Sequence, residues 1–238
     1  MGHYYNKGEF KLPSVTTIIS DCNDKSGALT NWAANQACEW IKVNCERSLD
    51  PTSMEPYYIV AESNLDNAAK NFRDVSNKAL EIGSQTHSAI EHWLQTGKEP
   101  IEPREEVLAA FVAFLEFFDE HAMKPIELEF SVYGDCWAGT LDYYGWFNDK
   151  LYVIDFKTSK YHYQNETGPQ IAAYRSALKK PVDGCGILRL DKISGYPDWK
   201  DFSRRYERDL EHFLLMLPLF MHRHPRIRKN SGWDLKPF

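Results

Sequence analysis

No stretch of this 238-residue chain is apolar for long enough to read as a membrane span, so no membrane partner is expected. The opening residues are polar and aromatic and lack the apolar core of a secretory signal. Cysteine is sparse. Cys22, Cys38, Cys45, Cys136 and Cys185 are odd in number, scattered, and form no CxxC pair. That spacing excludes a zinc knuckle and offers no disulfide framework, so a reducing, intracellular compartment is expected. Positive charge is not in excess either. A formal net charge of -6 argues against a protein that holds long duplex through a diffuse basic field. It leaves room for an enzyme that grips one strand locally and neutralises its own carboxylates with metal. Internal repeats and low-complexity tracts are also missing.

What is present is apolar content of 43%, enough for one ample core with a small helical lobe beside it. Residues 28–121 read as a mainly helical front half. Pro13 to Ile19 suits either a strand or the lead into a helix. Ala28 to Asn44 has a helical stripe in which Trp32 and Trp40 are expected as core anchors. Ser48 to Pro56 reads as a proline-marked break, with a second helical zone starting near Tyr57 or Asn64. From Ala79 to Gln95, Gly83, His87 and Glu91 recur every four residues and share a helix face. A glycine inside a helix costs about 1 kcal/mol relative to alanine; one use for it is close approach of a neighbouring backbone. His87 is then either a satisfied structural histidine or a ligand aimed at another element. His92 sits one step round the helix.

The second half, 125–217, is sheet-centred. Pro125 to Tyr133 alternates as a strand, with Ile126, Leu128 and Phe130 on one side and Glu127, Glu129 and Ser131 on the other. Glu129 is either a solvent-facing strand residue or an auxiliary acid. Cys136 to Lys160 organises the chain: two apolar-rich runs flank a turn at Asn148-Asp149-Lys150. Asp142 lies in the first run. Asp155 and Lys157, two apart in the second, share a strand face. Antiparallel pairing brings both carboxylates and the amine to one end of the ladder. Two adjacent carboxylates repel, and a shared cation is the usual remedy; oxygen ligands suit magnesium or manganese. Gly139 leaves room for substrate or another backbone. Thr158, Ser159 and Lys160 offer hydroxyls and an amine to a phosphate. Tyr161 to Thr167 reads as a loop, and Pro169 to Leu178 as a helix with Pro169 in its first turn. Gln170 and Tyr174 lie on one side of that helix, either as ordinary surface or positioning a phosphate, a water or Lys157. The last helix is expected at Ser203 to Leu217, followed by a basic tail from His222.

Taken together, Gly83-Ser84-Gln85-Thr86-His87, Gly139-Thr140-Leu141-Asp142, Asp155-Phe156-Lys157-Thr158-Ser159-Lys160 and Gln170-Ile171-Ala172-Ala173-Tyr174 resemble the PD-(D/E)XK nuclease superfamily. The RecB-like branch, with its phage and mitochondrial DNA exonucleases, is the most similar. Leu141 stands where the superfamily's name has proline. The resemblance implies a single restriction-endonuclease-like α/β domain over 1–238: a mixed central sheet flanked by helices, with a helical N-terminal wall. It implies His87, Asp142, Asp155 and the Phe156 carbonyl as metal ligands, and Asp142, Asp155 and Lys157 as the catalytic set. Thr158, Ser159, Lys160, Gln170 and Tyr174 would position substrate, with Glu91 and Glu129 as auxiliary groups. One or two Mg2+ or Mn2+ ions are expected, and no iron–sulfur cluster, since no cysteine follows Cys185. The implied activity is hydrolysis of DNA from a single-stranded or frayed end. The alternatives are a structure-selective endonuclease and a non-catalytic nucleic-acid-binding module. The expected setting is the cytoplasm of a bacterial or phage-infected cell, or mitochondria or nucleus in a eukaryote. Protein partners are not indicated.

Overall fold

A computed structural model describes residues 3–235 of the chain. In order, its elements are β1 (Tyr4–Lys7), β2 (Phe10–Pro13), α1 (Val15–Cys22), α2 (Ser26–Asn44), β3 (Glu46–Leu49), β4 (Pro56–Ile59), α3 (Glu62–Thr96) and α4 (Glu105–Glu120). There follow β5 (Lys124–Tyr133), β6 (Ala138–Phe147), β7 (Lys150–Lys157), α5 (Gln164–Ala177), β8 (Gly184–Leu190), β9 (Pro197–Asp201), α6 (Tyr206–Arg223) and α7 (Pro225–Asn230). The fold is mixed α/β. Its centre is a five-stranded sheet in the order β5-β6-β7-β8-β9. All neighbours are antiparallel except β7 and β8, which are parallel because α5 supplies the crossover between them.

The chain divides into two compact units, Asp24–Ile82 and the remainder. In the sheet-bearing unit both sheet faces are buried. On one face, Ile90 from the end of α3 and Phe111, Phe114 and Phe117 from α4 pack with Tyr143, Ile154, Phe156 and Leu188. On the other, Val15 and Ile18 of α1, Ile171 of α5 and Phe213 and Leu217 of α6 pack with Leu141, Val153 and Ile187. Central strands covered on both faces read as near-continuous apolar runs, and β7 and β8 do.

Local signals set several boundaries. Ser14 caps α1 by accepting the Thr17 N–H at 3.0 Å. Gly97, at φ 71°, ends α3 with its N–H on the Trp93 carbonyl at 2.7 Å. Asn148 and Asp149, with φ of 47° and 60°, form the two-residue turn between Phe147 and Lys150; positive φ at both positions matches the twist of the strands.

Other elements depart from expectation. The break at 48–56 closes the β3–β4 hairpin, with Asp50 tying the turn through the N–H groups of Thr52 and Ser53. α2 buries no residue; Trp32 is half-buried and edge-on to Phe72 at 6.4 Å, and Trp40 is also half-buried. α5 begins at Gln164, so Pro169 lies inside it rather than in its first turn. α6 runs past Leu217 to Arg223. The basic tail is packed: His224 and Arg223 meet Asp21, and Arg228 meets Asp234 at 2.6 Å. Residues 236–238 of that tail lie outside the described residues.

The alternation expected in β5 also fails at one point. Leu128 packs on the α4 face and Phe130 on the α5 face, although they are two apart. Leu141 and Tyr143 in β6 split the same way. Both breaks flank the pair Glu129 and Asp142, and Glu129 takes a φ of 45°, a conformation that costs a non-glycine residue of order 1–3 kcal/mol.

Candidate metal centre

Ladder register lines up three carboxylates. Leu128 pairs with Tyr143 and Phe130 with Leu141, so Glu129 stands level with Asp142. Tyr143 pairs with Ile154 at the end of the β6–β7 ladder, and one step further Asp142 stands level with Asp155. Beyond that step the two strands part. The Phe156 N–H, which would otherwise lose its ladder partner, donates to Asp142 Oδ2 at 2.6 Å. Asp142 and Asp155 are buried.

α3 brings His87 to this row. Its Nδ1 lies 3.3 Å from Asp142 Oδ1 and 3.3 Å from Glu129 Oε1. Ligand atoms of His87, Glu129 and Asp142 all lie within 4.8 Å of one another. Asp155 adjoins this trio and is engaged from two sides. Lys157 Nζ is 2.6 Å from Oδ2, and Gln170 Nε2 donates to Oδ1 at 2.9 Å. The Lys157 ammonium is the charged partner of this buried oxygen. Gln170 also donates to the Tyr174 hydroxyl at 3.2 Å.

The remaining sequence candidates fall at varying distance from this centre. Glu91 takes a hydrogen bond from Gln95 on its own helix at 3.0 Å and is not part of the trio. His92 is exposed. Ser159 donates to the Tyr161 carbonyl at 2.9 Å, a local turn contact, and Lys160 is exposed with its amine 5.4 Å from the Tyr161 ring. Thr158 faces Gly83: a Cβ at Gly83 would sit 3.4 Å from its hydroxyl. That is ordinary contact with a side chain, so the backbone approach expected of Gly83 is not what the structure shows. The space at Gly139 is taken by Tyr174, whose ring a Cβ there would meet at 2.3 Å. Phe156 serves the site through its amide, while its ring belongs to the core.

Charge balance at the centre follows from this packing. Burial disfavours the His87 imidazolium, but Asp142, through its charge and hydrogen bond, and then Glu129 outweigh it and raise the histidine to about 10. Burial likewise works to raise Asp142, yet His87, Lys157 and the Phe156 amide hold it below the usual carboxylate range. Asp155 is pushed up to about 6, by burial first and by the Asp142 charge, against the pull of Lys157. Lys157 is raised in spite of burial because Asp155 and Asp142 favour its charge.

These residues fit a divalent cation. The donors are two carboxylates and an imidazole, a set compatible with a divalent ion such as Mg2+ or Mn2+, and the Asp155 carboxylate lies buried beside them. Among the described residues no helix is long and apolar enough to cross a membrane. No family model matches the chain, and no curated protein matches it.

Sequence reading left Glu129 as either a solvent-facing residue or an auxiliary acid; the structure puts it in the trio, where both strands break alternation beside it. One contact it did not find. The Tyr5 hydroxyl, 2.9 Å from Thr140 Oγ1, joins residues far apart in the chain; Thr140, two before Asp142, was the available signal.

Proposed function

We propose that this protein is a metal-dependent DNA nuclease of the PD-(D/E)XK superfamily, on a restriction-endonuclease-like sheet, and acts as a RecB-like exonuclease from a single-stranded or frayed end. The observation that carries the reading is one row of carboxylates, Glu129, Asp142 and Asp155, with His87 and Lys157 on either side of it. Such a combination serves phosphodiester hydrolysis, because the phosphoryl oxygens repel an attacking hydroxyl and call for positive charge. A bound Mg2+ or Mn2+ supplies a positive centre that neutralises those oxygens and acidifies water. Asp142 and His87 would hold it, with Glu129 or Asp155, and the Phe156 carbonyl is a further donor by resemblance.

The chain's own groups do the rest. Lys157, held by Asp155, lies where an ammonium can orient a water or meet charge on the phosphate. Gln170 fixes Asp155 from the far side and thereby the lysine. Thr158, Ser159 and Lys160 continue from Lys157 and offer phosphate contacts. The products expected are a 5′ phosphate and a 3′ hydroxyl.

The test compares an end-labelled linear single strand, the same strand circularised, and a covalently closed duplex, each with Mn2+, Mg2+ or chelator. Metal-dependent shortening of the linear strand alone supports the reading and shows its polarity. Rapid cutting of both closed substrates favours an endonuclease, and binding without any turnover favours a non-catalytic module.

A further inference from the structure

The β1–β2 hairpin is left without a role by the proposed chemistry. It reaches β6 at two points. Ser14, just after β2, bridges in parallel to Ala138, and the Tyr5 hydroxyl meets Thr140 Oγ1 at 2.9 Å, two residues from Asp142. Tyr5 and Lys7 are two apart in β1 and share a face. The Tyr5 ring stands edge-on to Tyr133 at 6.4 Å, and the Lys7 amine lies 5.6 Å from the centre of the same Tyr133 ring. Lys7 is exposed and both tyrosines are half-buried, with the His3 ring 4.8 Å from that of Tyr5 at a tilt of 52°.

This arrangement suits a polyanion with aromatic bases. The metal row is acidic, so a phosphodiester strand approaching it meets repulsion on every side not supplied with cations. Lys7 places an ammonium on the hairpin side of the row, away from Lys157 on β7. The tyrosine pair next to it is an amphipathic surface fixed by the Thr140 hydrogen bond, and a nucleobase stacks on such a surface whatever its identity. We propose that the β1–β2 hairpin is a strand-binding wall of the site, where Lys7 takes a backbone phosphate of single-stranded DNA and the Tyr5–Tyr133 pair takes the adjoining base. The inference rests on the nuclease reading and adds the path of the strand to it.

The test uses the full chain carrying Lys157→Ala, so that the probe survives, and a short fluorescein-labelled oligothymidylate followed by anisotropy with Mn2+ over a salt series. Lys7→Ala should weaken binding about fivefold and reduce the salt slope by about 0.7, the value for one phosphate contact on a single strand. Tyr5→Ala should weaken it about tenfold, within the range for one stacked base. Tyr5→Phe, which keeps the ring, should lose less than Tyr5→Ala. In the otherwise unchanged enzyme, Lys7→Ala should raise KM more than it lowers kcat. Lys7 is exposed, so its removal leaves the fold intact, and thermal melting checks the Tyr5 variants. Unchanged affinity and slope in Lys7→Ala, with the parent binding and the unmutated enzyme cutting, overturn the inference alone. Failure of the parent to bind the strand, together with failure of the unmutated enzyme to cut it, overturns the nuclease reading with it.

Discussion

His87 Nδ1 touches Asp142 and Glu129 at the same 3.3 Å, so one proton there serves two carboxylates. A divalent ion bound by the same atoms must displace it, because only the neutral imidazole is a ligand. Manganese affinity should therefore rise with pH from about 7 toward the raised value of His87, about 10, with release of a proton. Calorimetry in buffers of different ionisation enthalpy measures that proton directly; binding that is flat with pH and releases none would remove His87 from the ligand set. The stability of the metal-free protein should move the other way. A histidine raised by folding stabilises the native state fully below its unfolded value near 6.5, and that contribution is lost as pH climbs toward 10. The difference in Tm between the parent and His87→Ala should shrink over that window. The carboxylates call for a separate test. Asp142→Asn and Asp155→Asn keep side-chain size and can keep the hydrogen bonds to Phe156 and Gln170 in part, but lose the charge. Each should lower metal-dependent cleavage at least about a thousandfold, the scale of roughly 4 kcal/mol in a transition state, with circular dichroism unchanged. Near-parental turnover from either folded variant would sink the assignment.

At the scale of elements, two glycines that look alike in sequence have opposite consequences. A methyl group on Gly139 of β6 would collide with the Tyr174 ring of α5 at 2.3 Å. Gly139→Ala should therefore cost about 1–3 kcal/mol, as overpacking does, and shift α5 and with it Gln170. Urea unfolding measures it, and Tyr174→Ala in the same chain should recover part of the loss; simple additivity would mean the ring does not hold that position. Gly83→Ala in α3 meets only the Thr158 hydroxyl at 3.4 Å and gains helix propensity of about 1 kcal/mol. It should be neutral or stabilising. The same contrast shows what sequence can and cannot say. Asp142, Asp155 and Lys157 are legible because one hairpin with a turn at Asn148 brings them together through strand periodicity alone. The His87 face is legible from its four-residue spacing. Glu129 is legible only as one of two possibilities, a solvent-facing residue or an auxiliary acid, because strand alternation does not encode its local φ of 45°. The β3–β4 hairpin is hidden because Glu46–Leu49 and Pro56–Ile59 are only four residues each and mostly exposed, without the alternation that marks a buried face.

For the whole molecule, the division at Asn23 and Ile82 separates segments of unequal burial. All residues of the metal row, with His87, Lys157, Gln170 and Tyr174, belong to the sheet-bearing unit, whose helices and strands bury two apolar layers. In Asp24–Ile82, α2 buries no side chain, and Leu29, Val43, Met54, Ile59 and Leu80 are exposed at 56%, 80%, 65%, 51% and 71%. Opening free energy follows local burial of apolar surface, so the two units should differ under native conditions. Hydrogen exchange followed by mass spectrometry should show α2, β3 and β4 exchanging at least about a hundredfold faster than β6 and β7, equivalent to a difference of roughly 3 kcal/mol in local opening. Adding Mn2+ should sharpen the contrast. A ligand stabilises only the states that bind it, so protection should rise in β5, β6, β7 and around His87 while peptides from Asp24 to Ile59 stay as they were. Asp142→Asn should abolish the metal-induced change and leave the metal-free pattern of Asp24–Ile82 intact. If Mn2+ protected Asp24 to Ile59 as strongly as the sheet, metal binding and the opening of that unit would be one cooperative event, and the separation of the two units in stability would not hold.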